Sequence, residues 1–272
     1  MKYIKVGETD IPVLGLGTYL IKGKEAVNTI EQAIDIGYRH IDTAQLYDNE
    51  SEVGTAIQES PVDRADIFLT TKVWPSQLSK EDFLPSVEDS LRKLKTDYVD
   101  LLLVHWPNAD IPIQETIAEL IKAQEQGKAK HIGVSNFPIA LLAKTMGLGA
   151  PIICNQVEYH PYIDQSVLKG WMDHNNLILP AYTPLAQGRV FKDNSVQKIA
   201  DHAGKSIAQV VLRWLIQQEN VMAIPKSTNP ERLKANLDIF DFSLSEEEMK
   251  MMNALSAGNQ RFVRSSSDPD WD

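Results

Sequence analysis

Short apolar runs alternate with segments whose apolar residues recur every three or four positions, almost from one end of the chain to the other. The runs at Val13–Thr18, Arg39–Ala44, Ile67–Val73, Tyr98–Trp106, His131–Asn136, Ile153–Tyr159, Leu177–Pro184 and Val221–Ser227 are short and rich in β-formers, the pattern of strands buried on both faces. Between them, Glu25–Ile36 sets Ala26, Ile30, Ala33 and Ile34 on one helical face, and Leu84–Leu94 does the same with Leu84, Val87, Leu91 and Leu94. Helices are also predicted near Ile113–Gln126, Pro138–Met146, Asp164–Asn175, Asn194–His202, Ser206–Gln218 and Glu231–Asn236. A further one covers Ser245–Ala257, where an acidic start suits the helix dipole. Gly37 and Gly127 fall where helices should stop, and Ser79 followed by Asp82 predicts a capped helix start. Val6–Pro12 reads as a turn between two short strands. Eight successive β-then-α units require a parallel sheet. The expected architecture is α/β: a closed (β/α)8 TIM barrel, residues 1–272 as one domain, with an N-terminal β-hairpin placed to plug its N-terminal end. An open doubly wound sheet is the alternative.

A length of 272 residues suits one such barrel, which needs about 250. The chain carries 27 Lys and Arg against 37 Asp and Glu, a net charge of −10, which disfavours nucleic acid and anionic membranes as partners. Its one cysteine, Cys154, can form no internal disulfide and matches no zinc-ligand spacing; it is expected to be a buried structural residue. Met1–Asp10 lacks the apolar core of a signal peptide, and the apolar stretch around Leu101–Trp106 is far too short to span a bilayer. A soluble, cytoplasmic monomer is the expectation.

In a barrel, function gathers just beyond the C-terminal ends of the strands. Asp42 and Tyr47 follow the second strand, Lys72 ends the third and His105 ends the fourth. Strand alternation puts Lys72 on the face of Phe68 and Thr70, and His105 on that of Leu101 and Leu103. If that face points inward, the two meet at the barrel mouth. Each has a plainer role available: a lysine reaching water, a hydrogen-bonded core histidine, an aspartate capping a helix, a half-buried loop tyrosine. Together they make a proton-transfer set. A phenol is a weak acid near neutrality, a neighbouring ammonium should lower its pKa, and Asp42 would hold that ammonium in place. Tyr47 could then protonate a substrate oxygen that His105 positions. Such a set suits carbonyl reduction, for which no side chain can donate the hydride.

Two further groupings offer that donor a place. Lys226, Ser227 and Arg232 run from the last strand into a helix start, a combination that binds phosphate. Ser135, Asn136, Asn155 and Gln156 are amide and hydroxyl groups on neighbouring strands, fit to hold a carboxamide, and Tyr182 offers a flat face for stacking. Gly15-Leu16-Gly17 lacks the third glycine of a dinucleotide fingerprint.

The motifs Asp42-Thr43-Ala44-X-X-Tyr47-X-Asn49-Glu50, Thr71-Lys72-Val73-Trp74, His105-Trp106-Pro107, Gly133-Val134-Ser135-Asn136-Phe137, Asn155-Gln156 and Ile224-Pro225-Lys226-Ser227 occur in this order from about Gly15 to Asn236. In this the chain resembles the aldo-keto reductase family, and within it the bacterial 2,5-diketo-D-gluconate reductase branch, whose closing Pro-Asp-Trp-Asp matches Pro269–Asp272. The resemblance implies a (β/α)8 barrel binding NADPH, with Asp42, Tyr47, Lys72 and His105 as catalytic tetrad and Tyr47 as proton donor. It implies Ser135, Asn136 and Gln156 at the carboxamide, Tyr182 at the nicotinamide face, and Gln187 and Gly188 at the pyrophosphate. Lys226, Ser227 and Arg232 fall to the 2′-phosphate and Asn236 to the adenine, with Gly17, Thr18, Thr183, Leu185 and Thr228 also near the cofactor. Tyr19, Trp74 and Trp106 would line the substrate pocket. Ala235, Tyr19 and Thr183 stand where many members have Glu, Trp and Ser. The implied reaction is NADPH-dependent reduction of a small-molecule carbonyl: an aldehyde, an α-dicarbonyl such as methylglyoxal, or a keto-sugar such as 2,5-diketo-D-gluconate. Two other classes stay open: a barrel metallohydrolase built on Asp42, His105, Glu158 and His160, and a non-catalytic NADPH-binding sensor.

Overall fold

The computed structural model describes residues 1–272. It begins with two antiparallel strands, β1 (Tyr3–Val6) and β2 (Thr9–Pro12), the predicted hairpin. There follow β3 (Leu16–Gly17), α1 (Gly23–Ile36), β4 (His40–Asp42), α2 (Glu50–Glu59), β5 (Phe68–Val73), α3 (Phe83–Lys93), β6 (Val99–Val104) and α4 (Ile113–Glu125). The second half holds β7 (Ala129–Ser135), α5 (Ile139–Gly147), β8 (Ile152–Glu158), α6 (Ser166–His174), β9 (Leu179–Tyr182), α7 (Asn194–Ala203), α8 (Ile207–Gln217), β10 (Val221–Ala223), α9 (Pro230–Leu237) and α10 (Glu246–Ala254).

Strands β3 to β10 pair in chain order as one eight-stranded parallel sheet. The sheet curls until its two ends meet: the Ala223 N–H donates to the Val13 carbonyl and the Gly15 N–H to the Ala223 carbonyl, both at 2.9 Å. Gly17 belongs to this seam, because a Cβ there would lie 2.9 Å from the Ile224 carbonyl oxygen. Side chains alternate across each strand. Phe68, Leu101, Leu103, Cys154, Ile178 and Met222 point inward with Ile11 from the hairpin, while Leu69, Leu102 and Val104 face the helices. Ile4 and Val6 cover this inner cluster, and the Thr9 hydroxyl lies 2.8 Å from His131 Nε2. The hairpin thus seals the end of the sheet where the strands begin, as expected.

Several helix starts are set by side chains that satisfy otherwise unpaired N–H groups. Asp193 caps α7, while Ser206 with Gln209 and Ser245 with Glu248 form capping boxes on α8 and α10. The expected cap at Ser79–Asp82 is corrected: Ser79 Oγ bonds to Asp82 itself in a preceding turn, and Asp82 makes no capping bond to α3. Helix α2 was not foreseen. No helix is long and apolar enough to cross a membrane.

Candidate active site

The C-terminal strand ends bring the four predicted residues together. Lys72 is fully buried at the end of β5, and its Nζ donates to Asp42 Oδ1 at 2.5 Å and to the Thr43 carbonyl at 2.8 Å. Tyr47 lies on a short 3-10 turn after β4, with its Oη 3.4 Å from Lys72 Nζ. His105 follows β6, its ring edge-on to Tyr47 at 5.7 Å and to Trp74 at 5.2 Å. Tyr19 packs against Tyr47 at 5.0 Å from the other side.

Residues that sequence reasoning gave no role hold this set in place. Gln45 Oε1 accepts the Trp74 N–H at 2.8 Å, while its Nε2 donates to Ser86 and Ser90, so the tyrosine turn is fastened to β5 and α3. Asn49 accepts from the Thr43 hydroxyl and donates to the carbonyls of Thr18 and Ile21. Buried Glu50 accepts from Thr71 Oγ1 at 2.6 Å. The signal for Asn49 and Glu50 was their nearness to Tyr47 in the motif; nothing in the pattern singled out Gln45.

The electrostatics correct one expectation. Burial raises the Tyr47 pKa well above that of a free phenol, and the Asp42 charge adds to the rise. The predicted lowering by Lys72 fails because burial disfavours the phenolate and the Asp42 charge disfavours it further. Burial pulls the Lys72 pKa down, opposed by Asp42. Burial, then Lys72, pushes His105 well below the usual imidazole value, so its ring is neutral at pH 7. Its Nδ1 is buried without a partner.

The predicted carboxamide holders form a connected ring. Gln156 Nε2 donates to Asp42 Oδ2 at 2.8 Å, which ties this amide to the lysine–aspartate pair. The Ser135 hydroxyl donates to the Gln156 carbonyl; Asn136 Nδ2 donates to Ser135 Oγ and to the His105 carbonyl. Tyr182 Oη donates to Asn136 Oδ1 at 2.8 Å. Asn155, by contrast, exchanges two bonds with the Phe137 backbone and serves the scaffold. Thr18 is buried, its hydroxyl donating to the Asp42 carbonyl. After β9 the backbone is strained: Thr183, Ala186 and Gln187 adopt left-handed φ of 53°, 49° and 52°, next to Gly188 at 87°. Such strain in non-glycine residues collects at ligand sites.

Lys226, Thr228 and Arg232 are exposed around the start of α9, with Ser227 and Asn236 buried beside them. Asn229 takes the Arg232 N–H, leaving the side chains of Lys226 and Arg232 open to water. Two cations, a hydroxyl and a helix start are the donors a phosphate monoester requires. Trp74 is partly exposed, Trp106 is buried and Tyr19 is exposed at the mouth.

The metallohydrolase grouping is overturned. Buried Glu158 accepts His160 Nε2 and the Phe262 N–H at Oε1, both at 2.8 Å, and the Val263 N–H at Oε2 at 3.0 Å. Its carboxylate is spent on the C-terminal tail, and no group of three or more His, Cys, Asp or Glu is arranged to hold a metal ion. Sequence reasoning also missed how that tail is used. Phe262 stacks on His160 at 4.9 Å and lies under Arg189 at 3.9 Å. Trp271 lies 6.2 Å from Trp106, and the Asp272 carboxylate accepts the Ile139 N–H.

Comparison with known proteins identifies the family. The aldo/keto reductase family profile matches residues 13–257. Methylglyoxal reductase DkgB of Escherichia coli O157:H7 is 39% identical over 266 residues, covering 96% of this chain and 99% of its own. Glyoxal reductase of Bacillus subtilis (strain 168) is 41% identical over 250 residues, covering 91% of this chain and 90% of its own. A crystal structure provisionally assigned as a 2,5-diketo-D-gluconic acid reductase B superposes with a TM-score of 0.97 at 44% identity, over 100% of this chain and 98% of that one. With the strand order, the cluster at the strand ends and these likenesses in agreement, the chain is a member of the aldo/keto reductase family.

Proposed function

We propose that the protein reduces small aldehydes, α-dicarbonyls or keto-sugars with NADPH, on a complete (β/α)8 barrel. The observation that carries the reading is the Asp42–Lys72–Tyr47 chain beside a neutral His105 at the strand ends. The donor set at α9 fits the 2′-phosphate, and the ring of Ser135, Asn136 and Gln156 fits a carboxamide. NADPH, when bound, supplies the hydride.

The chain's own groups manage the oxygen. Neutral His105 presents an N–H that orients the carbonyl. Tyr47 is still protonated at pH 7, so it is the acid that delivers a proton as negative charge develops on that oxygen. The phenolate left behind faces the Lys72 ammonium, already desolvated and held by Asp42. Burial strengthens that stabilisation as the charge forms. Trp74, Trp106 and Tyr19 exclude water around the substrate.

The test is NADPH consumption with methylglyoxal, 2,5-diketo-D-gluconate, an aromatic aldehyde and a steroid ketone. Turnover is expected on at least the small substrates, and should fall by about 10²–10⁴ in Tyr47→Phe while NADPH binding persists. Undiminished turnover in Tyr47→Phe would refute the assigned proton donor. NADPH binding without turnover of any of the four would favour the sensor.

A further inference from the structure

The side-chain amide of Gln156 joins the amide ring of the site to its proton-transfer set. Its Nε2 lies 2.8 Å from Asp42 Oδ2. Only a donor suits a carboxylate already shared with an ammonium, so the amide's orientation is fixed, with the NH2 at Asp42 and Oε1 turned away. That oxygen has no protein partner and is not sealed from solvent. Asp42 is buried, with Oδ1 taken by Lys72 and Oδ2 by Gln156. The three N–H groups of the buried ammonium go to Asp42, the Thr43 carbonyl and Tyr47 Oη. An unbroken chain therefore runs from Gln156 Oε1 on β8, through Asp42 and Lys72, to the tyrosine that follows β4.

Such a chain is polarised from its ends. A donor accepted at Oε1 makes the amide N–H a stronger donor to Asp42. Asp42 then sets less of its charge against Lys72, and the ammonium has more to offer a phenolate as it forms. The ionisable groups facing the chain come from every strand around it. Tyr19 and Tyr182 face Tyr47, and His105 lies edge-on to its ring; His40 and Cys154 lie near Asp42, and Glu50 near Lys72. Burial keeps His40 and His105 neutral and Cys154 protonated at pH 7, so none of these three competes with Asp42 and Lys72 for the charge.

Resting on the proposed reductase activity, we infer that Gln156 is a positioning residue for proton transfer: an N–H donor at its Oε1, such as a bound carboxamide, acts through Asp42 and Lys72 to make the Tyr47 hydroxyl the readier acid. Occupancy of the amide ring thus arms the proton donor, and Lys72 alone does not.

The experiment follows oxidation of the alcohol product from pH 6 to 10, the direction in which the Tyr47 phenolate takes the hydroxyl proton while the hydride passes to NADP+. The pH at which kcat levels off should lie about one unit higher in Gln156→Met than in wild type, a coupling of about tenfold. A purely local role would raise the Kd of NADP+ and leave that pH in place, which would overturn the relay while the reductase reading stands. A second comparison needs no variant. The 3-acetylpyridine analogue of NADP+ carries a methyl group in place of the amide nitrogen and cannot donate to Oε1. In wild type its levelling pH should lie about one unit above that of NADP+, and in Gln156→Met the two should coincide. Coincidence in the wild type would refute the inference; any other titrating group contributes alike to the profiles compared. Binding is read apart from turnover by quenching of tryptophan fluorescence. Wild type should hold NADP+ about fivefold more tightly than the analogue, and Gln156→Met should hold both alike. No preference in the wild type would remove the contact at Oε1 and the relay with it. Wild type that binds NADP+ yet interconverts no carbonyl and alcohol would overturn the reductase reading together with the relay.

Discussion

Tyr47 keeps its proton because its surroundings are dry and Asp42 adds negative charge, and a proton donor needs that proton at neutral pH. The nearness of Tyr47, Lys72 and His105 was readable from strand ends and period-two alternation. The sign of the tyrosine's shift was not, because it is set first by how completely the phenol is buried and then by the Asp42 charge, which only the folded chain reveals. Gln45 escaped notice for a related reason: a glutamine outside the regular elements carries no periodic signal, and its three partners are Trp74, just past β5, and Ser86 and Ser90 in α3. At the cofactor end, Lys226→Ala or Arg232→Ala should raise the KM for NADPH about tenfold or more, since a charge-assisted contact is worth about 1.5–3 kcal/mol. The KM for NADH should hardly move. Steady-state kinetics with both cofactors checks this, and equal rises for the two would contradict the 2′-phosphate assignment.

Among the elements, α2 is held closely against the end of α3. A Cβ on Gly54 would lie 2.6 Å from the Leu94 carbonyl carbon and the Lys93 carbonyl oxygen, and these backbone atoms cannot swing aside. Gly54→Ala should therefore destabilise by about 1–3 kcal/mol and lower the melting temperature by several degrees. A melting curve that coincides with wild type would show that the helices can separate at no cost. The same glycine helps explain why α2 was not legible: Glu50–Glu59 has few large apolar residues to mark a buried helical face. The parallel strands were legible because burial on both faces makes them unbroken apolar runs. The tail was not, because it has no regular period and is held by backbone N–H groups that every residue type shares.

For the molecule as a whole, pH acts on stability through buried imidazoles. Burial lowers His40 to about 4, with Asp42 opposing, and its Nδ1 has no partner. Above pH 6.5 both folded and unfolded chains carry it neutral, and its contribution is complete. As pH falls from 6.5 toward 4, the unfolded chain takes up the proton and the folded chain does not, so stability declines, by about 3 kcal/mol at most. His105 acts in the same direction. Urea midpoints at pH 7.5 and pH 5 should differ, and less so in His40→Gln; identical pH slopes would remove His40 from the account. The seam between β10 and the segment before β3 has a consequence in time. Its two sides lie about 200 residues apart along the chain. A ribosome adding about 5–20 residues per second exposes the first edge some 10–40 seconds before its partner is made. Throughout that interval the nascent chain offers an open backbone edge at its beginning, ready to pair with a neighbour. The last strand therefore decides when the first one is safe from aggregation, and slowing translation near Val221 should cost more soluble protein than slowing it anywhere beyond.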